Sequence, residues 1–124
     1  MNFDITQSTR TVILAPAAAQ SVTNTTPAVD VTKFYGVASL AIDAGSFTAG
    51  ATIAVNLQDA ATLGGTYANV PGTTVFLTEA SAGLSQNIGV NTDALRGFVR
   101  AVITLGGPTP TVNASVRFSG YSFP

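Results

Sequence analysis

The sequence predicts an all-β, single-domain antiparallel β-sandwich or barrel of about eight short strands, with an extended N-terminal arm or loop. Three observations predict it. Short runs rich in Val, Ile, Thr and Phe recur about every 8–12 residues, with Gly, Pro, Asn and Asp between them. No stretch of useful length carries a helical period. Residues 98–118, FVRAVITLGGPTPTVNASVRF, read as two eight-residue strands, 98–105 and 111–118, around Gly106-Gly107-Pro108-Thr109-Pro110. Residues 1–33 are expected to form a strand and the arm or loop, and residues 34–124 the sandwich or barrel core, within one domain overall.

In chain order, Thr9-Arg10-Thr11-Val12-Ile13-Leu14 predicts a strand over about 9–15, closed by Pro16. Residues 15–33 are small and polar with two prolines, which fits an extended arm or long loop better than a helix. Residues 34–43 are apolar on both sides, Phe34, Leu40 and Ile42 against Tyr35, Val37 and Ala41, as in a strand covered on both faces. Over 51–58, Ile53, Val55 and Leu57 alternate inward. A loop over 59–66 carries Gly64-Gly65, and 67–70 is a short strand before the turn signature Pro71-Gly72. Residues 73–78 and 84–90 are further strands. Asn91-Thr92-Asp93-Ala94-Leu95 reads as a short helical turn capped by Asp93.

If 98–105 and 111–118 form a hairpin, Leu105 opposite Val112 places Val99, Ala101 and Ile103 on one face with Ala114, Val116 and Phe118. That register also sets Arg100 opposite Arg117. The like charges then require the guanidiniums to splay apart or to meet a carboxylate from elsewhere.

Composition narrows the chemistry. The 124 residues include 46% apolar but only 9% charged side chains, against about 25% charged in an ordinary soluble domain. So weakly charged a surface points to one covered by a partner or by copies of itself. There is no cysteine and no histidine. Disulfides, thiolate chemistry and the commonest general base and metal ligand are thereby removed. Net charge is −1, too acidic for a strong nucleic-acid binder. The N-terminus lacks the features of a signal peptide, and no apolar run approaches the roughly 20 residues that span a membrane.

The acids Asp4, Asp30, Asp43, Asp59, Glu79 and Asp93 are spread singly, so no local carboxylate pair is available for acid–base work. Asp43 and Asp59 stand at expected turn positions, with a Ca²⁺ site as the sharper alternative. Neither Gly64-Gly65-Thr66 nor Gly106-Gly107 has the setting of a phosphate loop. A serine nucleophile would have only Lys33 as base. No catalytic residue, cofactor site or metal site is expected. Charge is nonetheless uneven: residues 1–93 hold six acids and two bases, net −4, whereas 94–124 hold Arg96, Arg100 and Arg117 and no acid, net +3. These arginines, with Tyr121 and Phe123 of the aromatic C-terminal stretch, are the candidate partner-interface residues.

Five segments follow one another: Tyr35-Gly36-Val37-Ala38-Ser39-Leu40; a Gly-Ser-Phe-Thr-Ala-Gly turn from Gly45 to Gly50; Ile53-Ala54-Val55-Asn56-Leu57-Gln58-Asp59; Gly65-Thr66-Tyr67-Ala68-Asn69-Val70; and Leu95-Arg96-Gly97-Phe98-Val99-Arg100-Ala101-Val102. In this order, over residues 34–118, the chain resembles small bacteriophage virion proteins of the capsid-decoration or minor-capsid type. The resemblance implies a non-enzymatic coat component in many copies, bound to a major capsid protein and to copies of itself. It implies a place on the capsid surface after synthesis in the host cytoplasm, with no direct nucleic acid and no membrane. A phage tail, fibre or head–tail component is the nearest alternative. A glycan-binding β-sandwich, using Tyr67 or Tyr121, is the alternative of another class.

Overall fold

A computed structural model describes residues 8–83 and 85–123. Residues 1–7, the beginning of the expected 1–33 strand and arm or loop, and Leu84, the start of the expected 84–90 strand, lie outside the described residues. Ten strands follow in order: β1 (Ser8–Gln20), β2 (Asn24–Thr25), β3 (Val29–Asp30), β4 (Phe34–Phe47), β5 (Thr52–Ala60), β6 (Ala68–Asn69), β7 (Val75–Thr78), β8 (Ser85–Asn91), β9 (Phe98–Gly106) and β10 (Val112–Ser122). One sheet has the order β1-β10-β4-β8; the other has β2-β9-β5-β6, with β3 also on β9 and β7 also on β5. Every pairing is antiparallel.

β2 and β3 lie in series along β9, and β6 and β7 in series along β5. Counting each series once turns ten strands into eight positions, ordered 1-8-3-6 and 2-7-4-5. That order is a double-sheet jelly roll, a sandwich rather than a closed barrel.

The core lies between the sheets. Leu40, Ile42, Val112, Val116 and Phe118 face inward from the first sheet, and Ile53, Val55, Leu57, Leu77, Val99 and Ile103 from the second, all fully buried. Full burial of each such side chain is worth about 1.5–3 kcal/mol. Phe34 closes one end edge-on to Phe118, with ring centroids 5.1 Å apart. The alternation expected for 51–58 is the one observed, and Gly72 takes the positive φ of 75° that the Pro71-Gly72 turn requires.

The expected hairpin is overturned. β9 pairs with β5, β2 and β3, whereas β10 pairs with β1 and β4, so the two strands belong to opposite sheets. Leu105 stands opposite Ile53, and Val112 opposite Gln20 and Phe47. The two apolar sets still meet, but across the core rather than side by side. The link between them is too long for a tight two-residue turn. It packs instead on the β4–β5 turn, where Thr48 N donates to Thr111 O at 2.9 Å and Thr111 N donates to Thr48 Oγ1 at 3.0 Å. Gly107 has φ 112°, and a Cβ there would stand 2.8 Å from Gly50 O, so glycine alone fits.

Three local expectations are also corrected. Pro16 does not close the first strand: β1 continues through Gln20, with register shifts between Ile13 and Ala15 and between Ala15 and Ala18. An edge strand with bulges accommodates a residue that lacks an N–H. The extended segment after it lies along β9 of its own chain, where Thr26 N donates to Ala101 O and Ala101 N to Thr26 Oγ1, both at 2.9 Å. The outer face of β4 is only partly covered: Val37 is 69% exposed, whereas Ala41 is buried and Tyr35 half-buried. The turn at Thr92–Ala94 is capped by Asn91, whose Oδ1 accepts from Asp93 N at 3.0 Å, and not by Asp93.

Phe118→Ala should remove about 3–5 kcal/mol of stability, read as a lower urea midpoint at unchanged slope. A loss under about 1 kcal/mol would contradict its place at the centre of the core.

Candidate partner interface

The three candidate arginines do not form one basic edge. Arg96 enters β9 beside the end of β5 and is held by Asp59. Its Nε donates to Asp59 Oδ1 at 3.2 Å, its backbone N to Oδ2 at 3.1 Å and its Nη2 to Asp59 O at 2.5 Å. The Asp59 side chain is 10% exposed and that of Arg96 45%. Asp59 therefore lies at the end of β5 rather than in a loop, and it ties the approach to β9 onto β5.

Arg100 lies on the outer face of the second sheet. Its Nε donates to Gln58 Oε1 at 3.0 Å, and its guanidinium sits 4.1 Å from the centroid of the Tyr67 ring, a cation–π contact. Gln58 Nε2 and Asn56 Nδ2 both donate to Asn69 Oδ1, at 3.0 and 3.1 Å. Tyr67 Oη donates to Leu63 O at 2.8 Å. Beside the exposed Phe76, this face thus carries a polar network whose members satisfy one another.

Arg117 lies on the outer face of the first sheet, 2.8 Å from Asp43 Oδ2. It meets a carboxylate from another segment, but the like-charge pairing expected with Arg100 does not arise, because Arg100 lies in the other sheet. Asp43 also accepts from Ser85 Oγ and from Ser115 Oγ. It therefore stands in β4, neutralised by Arg117, and not in a turn. Asp43 and Asp59 are on different sheets. No group of three or more His, Cys, Asp or Glu placed to hold a metal occurs among the described residues. No helix among them is long and apolar enough to cross a membrane.

Tyr121 and Phe123 lie on the same outer face as Arg117. Tyr35 joins them, its ring centroid 4.5 Å from that of Phe123 and 6.1 Å from that of Tyr121, the latter pair stacked. Ile13, Val37, Tyr121 and Phe123 are each at least half exposed. The register Ile13–Arg117–Ala41–Asn87 and Tyr35–Tyr121 puts these outward positions on one surface. Two donors on this surface, Tyr35 Oη and Arg117 Nε, are out of reach of solvent and have no hydrogen-bond partner, a loss of about 1–3 kcal/mol for each such group. Sequence reasoning placed Tyr35 and Val37 on the second side of their strand but read that side as covered. The signal was the alternation itself.

Where the bulge of β1 leaves β10, an open cavity of about 480 Å³ is lined by Ala17, Ala18, Asp43, Gly45, Asn113 and Ser115. A second, of about 270 Å³, lies between Asp59, Asn69, Pro71 and Thr73 on one side and Gly89 and Asn91 on the other. Neither presents an unpaired charged group: Asp43 and Asp59 are both occupied by arginine.

Asp30 is held below the usual carboxylate range, chiefly by Thr32, whose hydroxyl and backbone N–H donate to Oδ1 at 2.6 and 2.8 Å, with Arg10 and Lys33 adding a smaller attraction. A folded-state carboxyl that titrates below its unfolded value contributes fully at neutral pH. The contribution is lost as pH falls through the folded-state pKa.

No family model and no curated protein matches the chain. Among solved structures, the fold is similar to that of VP2 in the subviral particle of infectious bursal disease virus, with a TM-score of 0.59 at 13% identity, covering 94% of this chain and 33% of that one. A structure of the Gx strain of infectious bursal disease virus aligns at a TM-score of 0.49 and 14% identity, over 94% of this chain and 32% of that one. The chain therefore spans about a third of the length of the neighbours it matches.

Asp59→Ala should destabilise by about 2 kcal/mol, because it strips a partly buried guanidinium and a backbone N–H of their acceptor. Asp43→Ala, at a half-exposed pair, should lose under about 1 kcal/mol. Urea midpoints separate the two, and equal losses would contradict the assignment. Thr32→Val should raise the Asp30 titration midpoint, followed by carboxyl NMR shifts, and an unchanged midpoint would contradict the Thr32 origin.

Proposed function

We propose that this chain is a non-enzymatic virion structural protein that decorates and stabilises a bacteriophage capsid, on the outside of the shell and in many copies. Residues 1–33 and 34–124 then act as one domain. One observation carries the reading: the outer face of the β1-β10-β4-β8 sheet joins Tyr35, Val37, Tyr121 and Phe123 into an exposed aromatic and aliphatic patch beside the neutralised Arg117–Asp43 pair. Isolated soluble domains seldom leave such a patch uncovered. Its partners are a major capsid protein and copies of the chain itself.

Three further facts support it. The chain has 9% charged residues, few for a surface that faces only water. The jelly roll is a fold of viral capsid and lectin domains. Its fold is similar to that of a protein in a subviral particle. Tyr121 and Phe123 are the residues of the interface, with Arg117 between them and the β1 bulge. Arg96 and Arg100 serve the sandwich first, through Asp59, Gln58 and Tyr67. Weak contacts suffice when many copies share one shell.

Co-sedimentation with empty capsids tests the proposal. The chain should pellet with shells, and Tyr121→Ala with Phe123→Ala should weaken binding by roughly tenfold or more, the scale of losing aromatic anchors. Absence of shell binding would overturn it. So would a glycan-array hit lost on substituting Tyr67 or Tyr121, which assigns the exposed tyrosines to sugar instead.

A further inference from the structure

The two sheets treat their edges differently. The β2-β9-β5-β6 sheet ends on each side in pieces of two to four residues, β2 with β3 and β6 with β7. Short edge strands discourage pairing with another chain. The other sheet ends in β8, seven residues without charge or proline, and in β1, whose residues 8–14 precede Pro16 and carry Arg10 as their only charge. The backbone groups along two long edges are thus left as templates.

We propose that β8 of one copy pairs with β1 of the next, continuing the sheet head to tail through successive copies. This rests on the many-copy reading above, and three features of the sheet support it. First, direction: each successive pairing from β1 to β8 is antiparallel, so β1 and β8 run in opposite senses, and a copy rotated about an axis along the strands brings β1 antiparallel to β8. Second, level: the register runs Thr11–Ser119–Ser39–Gly89, Val12–Phe118–Leu40–Ile88 and Ile13–Arg117–Ala41–Asn87 across the sheet. Rotation without a shift along the strands sets Val12 opposite Ile88 and Ile13 opposite Asn87. Val12 and Ile88 are the half-buried apolar residues packed against the core from each edge, and Ile13 and Asn87 are both exposed. Inward meets inward, as a period of two demands.

Third, charge. Arg10 lies near the start of β1, and the exposed Asp93 follows β8. The head-to-tail arrangement brings them to the same end. A two-fold β8–β8 pairing would instead bring Asp93 to the segment before β8, residues 79–83, which holds Glu79 and no base to pair with it. Heterologous contacts of this kind close into a ring or extend as a filament.

The chain has no cysteine, so paired cysteines report the register directly. Directly opposed Cβ atoms lie within about 5.5 Å of each other, close enough for a disulfide after small adjustments. An equimolar mixture of Ile13→Cys and Asn87→Cys proteins should yield a covalent heterodimer on oxidation, and the double variant a ladder. Each single variant alone should stay monomeric on a denaturing gel. Asp93→Lys should lower the heterodimer yield by roughly tenfold, and adding Arg10→Glu should restore it. Failure of the mixture to cross-link overturns the pairing, as does cross-linking of Asn87→Cys alone. Shell binding without the cross-link would overturn this pairing while leaving the capsid reading intact. Cross-linking without shell binding would do the reverse.

Discussion

Two strips of apolar side chains have no dry surface except each other: Leu40, Ile42, Val116 and Phe118 from one sheet, and Ile53, Val55, Leu57 and Ile103 from the other. Their closure is the constraint on which the other features depend. It sends β9 and β10, consecutive in sequence, into different sheets. It fixes which side of each strand meets water. It also makes the link between β9 and β10 pack against the β4–β5 turn, where Gly107 alone tolerates the approach of Gly50.

With the inner faces committed, the two outer faces differ. The one bearing Arg100 satisfies itself through Gln58, Asn56, Asn69 and Tyr67. The one bearing Arg117 leaves Ile13, Val37, Tyr121 and Phe123 at least half exposed around the half-buried Tyr35. The polar network on the Arg100 face is closed on itself, with Phe76 exposed beside it.

The strand pattern was legible in the sequence because burial writes a period of two. Ile53, Val55 and Leu57 read inward, Val75 and Leu77 separated from Phe76, and residues 112–118 alternated without exception. Partner choice was not legible. A strand of alternating residues states which face is dry but not which strand lies beside it, so two strong neighbours in sequence were read as a hairpin. Ala15–Gln20 escaped for a related reason: small side chains on a bulged edge carry almost no hydrophobic signal. The arginines were visible as charge, but their partners are 37 and 42 residues distant for Arg96 and Arg100. No local spacing encodes that. Tyr121 and Phe123 stand out as part of an aromatic C-terminal stretch, and Tyr35, their partner in the structure, comes from the second side of a strand that reads as covered on both faces.

The central claim is that the outer face of the β1-β10-β4-β8 sheet is buried in an assembled particle. Hydroxyl-radical footprinting tests it most directly, comparing free protein with intact virions. The account predicts that Tyr35, Tyr121 and Phe123 lose most of their modification in the particle, while Phe76 on the opposite sheet, 62% exposed in the free chain, keeps its own. Unchanged modification of the three aromatic residues, or protection confined to Phe76, would contradict it.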